Sequence, residues 1–416
     1  MFASFSGVLP DALDGDTFKS DKGNETLLKV SVGSPGRFHT FDLARQMERL
    51  GHLYRLNTAY PRWKVSGIPA GKVRSFPWLM TLLMAAGHFG VHPPESAFRI
   101  TTESFDNWAA RNLEPCDVFH CLSAFGVRSG ASAQQRFGAV WVCDRGSSHI
   151  RYQDEVMAAE FDRWGVRYQR IDPRMVDREL LEYESCDVIT VPSTFAHRSF
   201  LNKGVSSRKL FLLPYGVDLE LFKPFSKKDD VFRVIYVGQM SLRKGLGDLL
   251  QAVLSSSLPR MELWLIGQTL PEGKRLLAKY EGQYRYFGPV PRSRLPELYS
   301  QGSVFVLASV EEGLATVQAQ AMACGLPVIA TANTGAEDLF TDGIEGFIVP
   351  IRSPDAIREK ILRLYEDPEL RDHMAACAIR RVRASRGWDS YGEKAATIYR
   401  DSVIRKGGAL NTPAAI

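Results

Sequence analysis

The sequence of 416 residues lacks the marks of several classes of protein. Its six cysteines are scattered, and no two of them form the Cys-x-x-Cys pair that is typical of zinc sites and redox motifs. No apolar run reaches the ~18–20 residues that a helix needs to span a membrane. The first residues do not show a charged start followed by an apolar core, so we expect no secretory signal peptide. The cysteines are therefore expected to be buried thiols in a reducing compartment.

A large excess of one charge is also missing. The 52 Lys and Arg residues nearly balance the 47 Asp and Glu residues, which leaves a formal net charge of +5. No basic run is interleaved with aromatic residues, so we expect no nucleic-acid partner. No cluster of His, Cys, Asp and Glu has the spacing of metal ligands, so we expect no metal. With 45% hydrophobic residues the composition is that of a globular protein, and the length predicts two domains.

The most informative stretch covers residues 309–331 and reads SVEEGLATVQAQAMACGLPVIAT. The apolar run before it, at residues 304–307, is typical of a buried strand. Residues 316–324 favour a helix that Gly325 ends, and residues 327–330 are typical of the next strand. Strand, acidic turn, helix and strand form the unit of a parallel sheet.

The acidic turn in this stretch has the residues of a ligand site. A helix N-terminus presents unpaired N–H groups and a partial positive charge, which attract phosphate. Gly313 and Ala315 would let a phosphate approach the backbone, whereas a carboxylate such as that of Glu312 is expected to accept hydrogen bonds from hydroxyls. Phosphate together with hydroxyls indicates a nucleotide or a sugar nucleotide. An ordinary surface turn is the alternative that these residues alone leave open.

The same stretch resembles the donor-site signature of retaining glycosyltransferases with the GT-B fold, of the family 4 type. That signature has two acidic residues separated by seven others. Here Glu312 and Gly313 match its first half, and the run Gln-Ala-Met-Ala at residues 320–323 matches its second half with Gln320 in place of the acid. The second position usually holds the nucleotide ribose in the family, and a neutral Gln320 keeps the ability to form hydrogen bonds. The resemblance is strongest over residues 213–349.

The resemblance implies an α/β chain with GT-B architecture, in which two Rossmann-like domains face each other across a cleft. We expect a flexible arm at residues 1–26, an acceptor domain at residues 27–213 and a nucleotide-sugar donor domain at residues 214–387. A crossover helix at residues 388–406 is expected to return to the first domain. Residues 407–416 are expected to be a disordered tail.

A second glycine turn, which starts at Gly238, follows a predicted strand at residues 232–237. It carries the adjacent cations Arg243 and Lys244, which can offset the charge that builds on a leaving phosphate. Exposed cations on a loop are the alternative. The resemblance identifies this turn as the diphosphate clamp, with Gln239 in the place of the family's early Arg. We hypothesise that Arg243 substitutes for that residue.

The first domain supplies further candidates. A predicted strand runs into a glycine turn with Gly36 and Arg37, which the resemblance places near the donor phosphates or the acceptor; a simple tight turn is the alternative. His149 lies in a polar cluster after a predicted strand at residues 139–142, at the sheet edge where ligands bind. We predict that His149 lies in the cleft near the transferred sugar, and that His120 is structural.

An apolar segment at residues 76–89 is too short to span a bilayer. One interpretation is a core helix. The other is an apolar face that meets a membrane or a lipid-linked acceptor. The residues predicted to line that face are Tyr60, Arg62, Trp63, Trp78 and Leu79.

The resemblance implies transfer of a sugar from a UDP- or GDP-sugar to an acceptor hydroxyl with anomeric retention, without a permanently bound cofactor. In this mechanism a phosphate oxygen takes the acceptor's proton, and Glu312 offsets oxocarbenium charge; a nucleophilic Glu312 stays open. The acceptor is expected to be a carbohydrate or a lipid-linked molecule in polysaccharide or glycolipid assembly, at a cytoplasmic location with peripheral contact to the inner membrane face. The predicted catalytic residues are Glu312, Arg243, Lys244 and His149, and the predicted donor-binding residues are Gly36, Arg37, Gly238, Gln239, Val290, Gly313, Leu314, Ala315, Thr316 and Gln320.

Two other classes of function remain as alternatives. Gln239 and Gln320 together are also typical of a degenerate, non-catalytic protein that binds sugar nucleotides; such a protein would neither hydrolyse nor transfer the donor sugar. A nicotinamide-dependent oxidoreductase would need a full glycine fingerprint followed by a ribose-binding acid, and residues 33–38 do not supply it.

Overall fold

The structure is a computed structural model that describes residues 27–78, 82, 95–256 and 258–407. The expected arm at residues 1–26, most of the expected tail, and Leu79 of the predicted apolar face lie outside these residues. Within them, the chain forms two parallel β-sheets, the first from the N-terminal half and the second from the C-terminal half.

The first sheet consists of seven strands with helices between them. Its strands are β1 (Val30–Ser34), β2 (Leu53–Thr58), β3 (Val73–Ser75), β4 (Val118–Leu122), β5 (Val140–Asp144), β6 (Val188–Val191) and β7 (Leu210–Leu212). Its helices are α1 (His39–Arg49), α2 (Glu95–Asn112), α3 (Val127–Phe137), α4 (Ile150–Arg163), α5 (Pro173–Ser185) and α6 (Thr194–Leu201). The strand order is β3-β2-β1-β4-β5-β6-β7. In such a sheet, ligands bind at the carboxyl ends of the strands, where the order reverses between β1 and β4.

The second sheet repeats this plan with six strands. They are β8 (Phe232–Val237), β9 (Met261–Ile266), β10 (Arg285–Gly288), β11 (Val304–Leu307), β12 (Val328–Thr331) and β13 (Gly346–Val349). The accompanying helices are α7 (Leu246–Leu254), α8 (Pro271–Ala278), α9 (Leu295–Ser300), α10 (Thr316–Ala323), α11 (Pro354–Glu366) and α12 (Pro368–Ala384). The order β10-β9-β8-β11-β12-β13 again reverses beside the first strand of the sheet. The central strands β8, β11 and β12 are buried along their whole length, as is typical of parallel sheets whose two faces are both covered.

The last described helix, α13 (Trp388–Arg405), packs on the first domain. Its side chains Tyr391, Ala395 and Tyr399 are buried in the same hydrophobic cluster as Phe41 and Met47 of α1. The apolar face of α13 therefore completes the first domain's core. The two Rossmann-like domains and the returning helix that were expected from the sequence are confirmed.

Charged pairs join the two domains beside the cleft. Arg163 of α4 donates two hydrogen bonds to the buried carboxylate of Asp248 in α7, at 3.0 and 2.6 Å. Buried Glu160 accepts a hydrogen bond from Nε of Arg352 at 2.7 Å. A Cβ on Gly247 would lie 2.1 Å from the Trp164 ring, so only glycine allows this close approach of α7 to the end of α4.

Candidate active site

The cleft lies where the carboxyl ends of the two sheets meet. Gly146 follows β5 in the first domain, and Gly313 follows β11 in the second. A Cβ on Gly313 would lie only 2.0 Å from the carbonyl oxygen of Gly146. The two backbones therefore touch, and glycine at position 313 is required by this close approach.

Glu311 ties the two domains together beside this contact. Its fully buried carboxylate accepts hydrogen bonds from the hydroxyls of Ser147 and Ser148, both at 2.6 Å, and from Nε2 of Gln153 at 3.1 Å. It also forms an ion pair with Nη2 of Arg243 at 2.8 Å. Burial alone would raise the pKa of Glu311, but the charge of Arg243 and the serine hydrogen bonds outweigh it and hold the pKa at about 2. The carboxylate is therefore ionised near neutral pH.

The two cations predicted for the diphosphate each pair with a neighbouring glutamate. Arg243 pairs with Glu311, and Nζ of Lys244 forms an ion pair with Oε1 of Glu312. The Lys244 side chain is 19% exposed and the Glu312 side chain 9%. The structure thus brings Arg243, Lys244 and Glu312 together, as the sequence predicted. A bound anion would have to exchange with these carboxylates.

The start of α10 lies beside these pairs. Ala315 is the N-cap residue of α10, and it has no side-chain group that could accept a hydrogen bond. The first backbone N–H groups of α10 therefore receive no hydrogen bond from the N-cap side chain. Leu314 and Ala315 are buried, whereas Thr316 is half-buried. Gln320 lies one turn further on the same face as Thr316 and accepts a hydrogen bond from the Tyr299 hydroxyl at 3.3 Å. The predicted helix N-terminus is therefore present at the cleft edge.

The other predicted donor residues of the second domain lie at the carboxyl edge of its sheet. Gly238 directly follows β8 and contacts the turn after β9, since a Cβ on Gly267 would lie 1.9 Å from the Gly238 carbonyl oxygen. Gln239 is exposed, and its backbone carbonyl oxygen accepts a hydrogen bond from the Tyr236 hydroxyl at 2.7 Å. Val290 is half-buried and packs against the core of the second domain.

In the first domain, the predicted turn follows β1. The hydroxyl of Ser34 donates a hydrogen bond to the carbonyl oxygen of half-buried Gly36 at 2.7 Å, which fixes the turn. The Arg37 side chain is exposed and has no ion pair within the described parts of the chain.

His149 does not lie where the sequence predicted. Only 2% of the residue is exposed, and its ring packs against Tyr183 and Phe200, with centroid distances of 5.2 and 5.0 Å. Nδ1 accepts a hydrogen bond from the backbone N–H of Arg151, so the residue caps α4. Burial and the nearby Arg145 lower the pKa of His149 to about 4. The predicted cleft position of His149 is therefore wrong, because the ring fills the first domain's core.

A different histidine lies at the cleft. Nε2 of His39 at the start of α1 is 2.5 Å from Oδ2 of Asp144 at the end of β5. Burial would raise the pKa of Asp144, but His39 and His120 outweigh it and lower that pKa. The sequence analysis missed this pair. The sequence feature that could have predicted this pair is a histidine just after the glycine turn, together with an acidic residue at the end of a central strand.

Neither a membrane-spanning helix nor a metal site is found in the described parts of the chain. No helix there is long and apolar enough to cross a membrane. No group of three or more His, Cys, Asp or Glu residues there is arranged to hold a metal ion.

Comparisons with known proteins agree with this geometry. Residues 218–381 match the family model described as Glycosyl transferases group 1. A relative, D-inositol 3-phosphate glycosyltransferase of Kribbella flavida, is 27% identical over 232 residues, which are 50% of this chain and 54% of the relative. The chain thus spans about half the length of the first curated relatives it matches.

Solved structures extend the likeness to nearly the whole chain. Sucrose-phosphate synthase from Thermosynechococcus elongatus has a TM-score of 0.72 at 22% identity and covers 90% of this chain and 99% of its own. Anabaena HepE in complex with UDP and glucose has a TM-score of 0.65 at 16% identity, with the same coverage of 90% and 99%. At these identities the likeness concerns the fold, and the expected GT-B architecture is confirmed.

Proposed function

We propose that the protein transfers a sugar from a nucleoside-diphosphate donor to an acceptor hydroxyl. The observation that carries the proposal is the pair of adjacent cations, Arg243 and Lys244, facing the acidic turn before α10. The match of residues 218–381 to the glycosyl transferases group 1 model supports the same assignment.

Donor binding would proceed by exchange of ionic partners. The diphosphate of the donor takes the place of Glu312 at Lys244 and shares Arg243, while the N-terminus of α10 supplies backbone N–H donors. Glu312 is then released to accept hydrogen bonds from the sugar hydroxyls. Gln320, one turn into α10, hydrogen-bonds the ribose. In the structure each cation of the site is paired with a glutamate. Because the diphosphate replaces a glutamate as the partner of Lys244, the site can bind a dianion without a large excess of positive charge.

In the transfer step, the bond between the anomeric carbon and the diphosphate breaks. Lys244 and Arg243 stabilise the charge that develops on the diphosphate, so we propose a reaction that needs no metal. Glu312 lies beside Lys244 and offsets the oxocarbenium charge on the sugar. We propose retention of anomeric configuration, which the resemblance of the 312–323 stretch to retaining enzymes supports.

We further propose that the acceptor is lipid-linked and that the first domain contacts an anionic membrane surface. Trp63, Trp78 and Leu82 are 79%, 73% and 68% exposed, and Arg62 lies beside them. Exposed tryptophans are typical of membrane interfaces, and cations favour anionic lipids. Tyr60 packs edge-on against Phe41 at 5.8 Å and belongs to the domain core instead.

Vesicle sedimentation tests the membrane contact. Wild type should sediment with phosphatidylglycerol vesicles, and the double variant Trp63→Ser, Trp78→Ser should remain in the supernatant. Phe225→Ser removes an aromatic residue that is 47% exposed on the second domain and serves as control. If the double variant and wild type sediment equally, this face is not the surface that contacts the membrane.

The transfer itself is tested by release of nucleotide from UDP-glucose and GDP-mannose, with proton NMR to identify the anomer of any product. We expect release by wild type and by Glu366→Gln, an exposed glutamate on α11, and a loss of at least tenfold in Glu312→Gln. Chelation of metals should leave the rate unchanged. Nucleotide binding without any release would instead favour the non-catalytic alternative.

A further inference from the structure

One ion pair at the cleft has no part in the proposed donor site. Nε2 of His39 and Oδ2 of Asp144 are 2.5 Å apart, so the two side chains are in direct hydrogen-bonding contact. The other carboxylate oxygen of Asp144 accepts a hydrogen bond from Thr190 at 3.0 Å. The carboxylate is therefore fixed, and it orients the His39 ring through Nε2.

The second ring nitrogen of His39 remains available. No hydrogen-bond partner for Nδ1 occurs among the residues that the structure describes, and the side chain is 14% exposed. The ring lies against Tyr215, with a centroid distance of 4.3 Å. An imidazole that is oriented by a carboxylate, and whose second ring nitrogen has no described partner, has the arrangement of a general base.

His39 also lies close to the sugar end of the proposed donor site. A Cβ on Gly146 would lie 3.3 Å from Cε1 of His39. The carbonyl oxygen of the same Gly146 is the atom that a Cβ on Gly313 would meet at 2.0 Å. Because Gly313 directly follows Glu312, His39 and Glu312 approach the same part of the cleft from opposite domains.

Further buried groups hold Asp144 in place. Nε2 of His120 in β4 lies 3.2 Å from Oδ2 of Asp144. Nδ1 of His120 shares a hydrogen bond with the hydroxyl of Tyr399 in α13 at 2.8 Å. Both side chains are fully buried. Three strands and the returning helix thus support the His39–Asp144 pair, as a preorganised site requires.

We propose, on the basis of the proposed function, that His39 is the catalytic base that takes the proton of the acceptor hydroxyl, with Asp144 as its positioning residue. The acceptor O–H bond breaks, and the proton passes to Nδ1 of His39. The oxygen's electron pair forms the bond to the anomeric carbon on the face that the diphosphate leaves, so the anomeric configuration is retained. The bond from that carbon to the diphosphate breaks, and its electron pair leaves with the diphosphate. The ionised Asp144 stabilises the imidazolium, which later releases its proton to solvent.

This assignment differs from the sequence-based expectation that a phosphate oxygen takes the proton. Nucleotide release from UDP-glucose and GDP-mannose, with water as acceptor, distinguishes the two routes in the full-length protein. We expect His39→Gln to lower release by about 100-fold or more and to leave the affinity for the nucleoside diphosphate unchanged. The matched control His149→Asn replaces a histidine outside the cleft and should keep the wild-type rate. Release by His39→Gln at the wild-type rate would overturn the proposal.

The pH profile separates a base from a structural ion pair. The wild-type rate should fall as the pH falls, because a protonated His39 cannot accept a proton, and His39→Gln should lose this acid limb. Other titratable groups near His39 could also affect the pH profile. They are Asp144, which contacts His120 on its other side, Asp42 on α1, and Tyr215. Asp42→Asn should keep the acid limb. The same limb in His39→Gln as in wild type would contradict the proposal.

A spectroscopic test does not depend on turnover. In protein labelled with ¹⁵N at histidine, the His39 signals are those lost in His39→Gln. We expect Nε2 protonated and Nδ1 unprotonated at pH 8, and a shift of the Nδ1 signal when UDP-glucose or GDP-mannose binds. A protonated Nδ1, or a signal unmoved by saturating donor, overturns the role of His39. Donor binding that moves this signal without any nucleotide release would overturn the proposed transfer instead.

Discussion

Two adjacent glutamates after β11 have different roles. Glu311 is fully buried and binds the serines of the first domain, whereas Glu312 pairs with Lys244 at the cleft. The sequence predicted the position of Glu312 from its neighbours along the chain. It could not predict that of Glu311, because its partners Ser147 and Ser148 lie more than 160 residues away. The His39–Asp144 pair was missed for the same reason.

Glu311→Gln keeps the size of the side chain and removes its charge. Because Arg243 then loses its buried partner, we expect a loss of about 1–3 kcal/mol in the free energy of unfolding at pH 7. The folded pKa of about 2 lies below the ordinary value of 4.5, so the carboxylate's stabilisation is present above pH 4.5 and is lost as the pH falls towards 2. Calorimetry between pH 7 and pH 3 should therefore show that the difference in the free energy of unfolding between Glu311→Gln and wild type becomes smaller as the pH falls. A difference independent of pH would contradict the assigned ion pair, and Glu366→Gln should match wild type throughout.

His149→Asn tests the corrected position of that residue. Asparagine keeps the helix cap but does not titrate. The folded pKa of about 4 is depressed from 6.5, so neutral His149 stabilises the fold above pH 6.5, and this stabilisation is lost as the pH falls towards 4. We expect the melting temperature of wild type to fall more steeply between pH 6.5 and pH 4 than that of His149→Asn. Parallel curves would place His149 in solvent.

At the scale of elements, the inner strands follow from composition, whereas three of the four edge strands do not. The predicted strands at residues 232–237 and 304–307 coincide with β8 and β11, because burial on both faces favours a mainly apolar run, which in β8 only Arg233 interrupts. The edge strands β3, β10 and β13 were not predicted. β3 has three residues, and β10 begins with exposed Arg285 and Tyr286, so neither shows a buried pattern.

β13 begins with a glycine for a reason visible only in three dimensions. A Cβ on Gly346 would lie 2.0 Å from the carbonyl oxygen of Val328 in the neighbouring strand. In the sequence, the run Gly-Ile-Glu-Gly at residues 343–346 has the residues of a turn. The charged residues 151–184 have a helical pattern that Pro173 breaks, and the structure has two helices there, with Asp172 capping α5 and Pro173 in its first turn.

Gly313→Ala tests the backbone contact at the start of the donor turn. The added Cβ would meet the Gly146 carbonyl oxygen at 2.0 Å, so the domains must separate. We expect a loss of about 1–3 kcal/mol in the free energy of unfolding and weaker nucleotide binding. Chemical denaturation measures the first effect. Gly71→Ala, where a Cβ meets no atom within 4 Å, should be neutral, and an equally neutral Gly313→Ala would show that the domains are not in contact there.

At the scale of the whole molecule, α4 carries charged side chains that pair with the second domain and hold the two domains in their relative position. Buried Glu160 accepts hydrogen bonds from Trp164 of its own domain and from Arg352 of the second domain, both at 2.7 Å. In the sequence, the interspersed acidic and basic residues at 151–184 have the pattern of a solvated face. That pattern could not reveal the partner, since Arg352 follows β13 in the other domain.

Glu160→Gln should loosen the domain arrangement because it removes the charge that pairs with Arg352. We expect faster amide hydrogen exchange in α4 and around Arg352, with the sheet cores unchanged. Asp162→Asn on the same helix changes an exposed residue and should exchange like wild type. Unchanged exchange in Glu160→Gln would show that the remaining contacts alone hold the domains.

The central claim, a diphosphate site at Lys244, is tested most directly by thermal shift with UDP, GDP and ADP. We expect at least one of them to raise the melting temperature of wild type and of Lys279→Ala, whose exposed lysine has no assigned role. Lys244→Ala should lose this shift, because the diphosphate loses its charge-assisted partner. No shift with any nucleotide, or an equal shift in Lys244→Ala and wild type, would contradict the account.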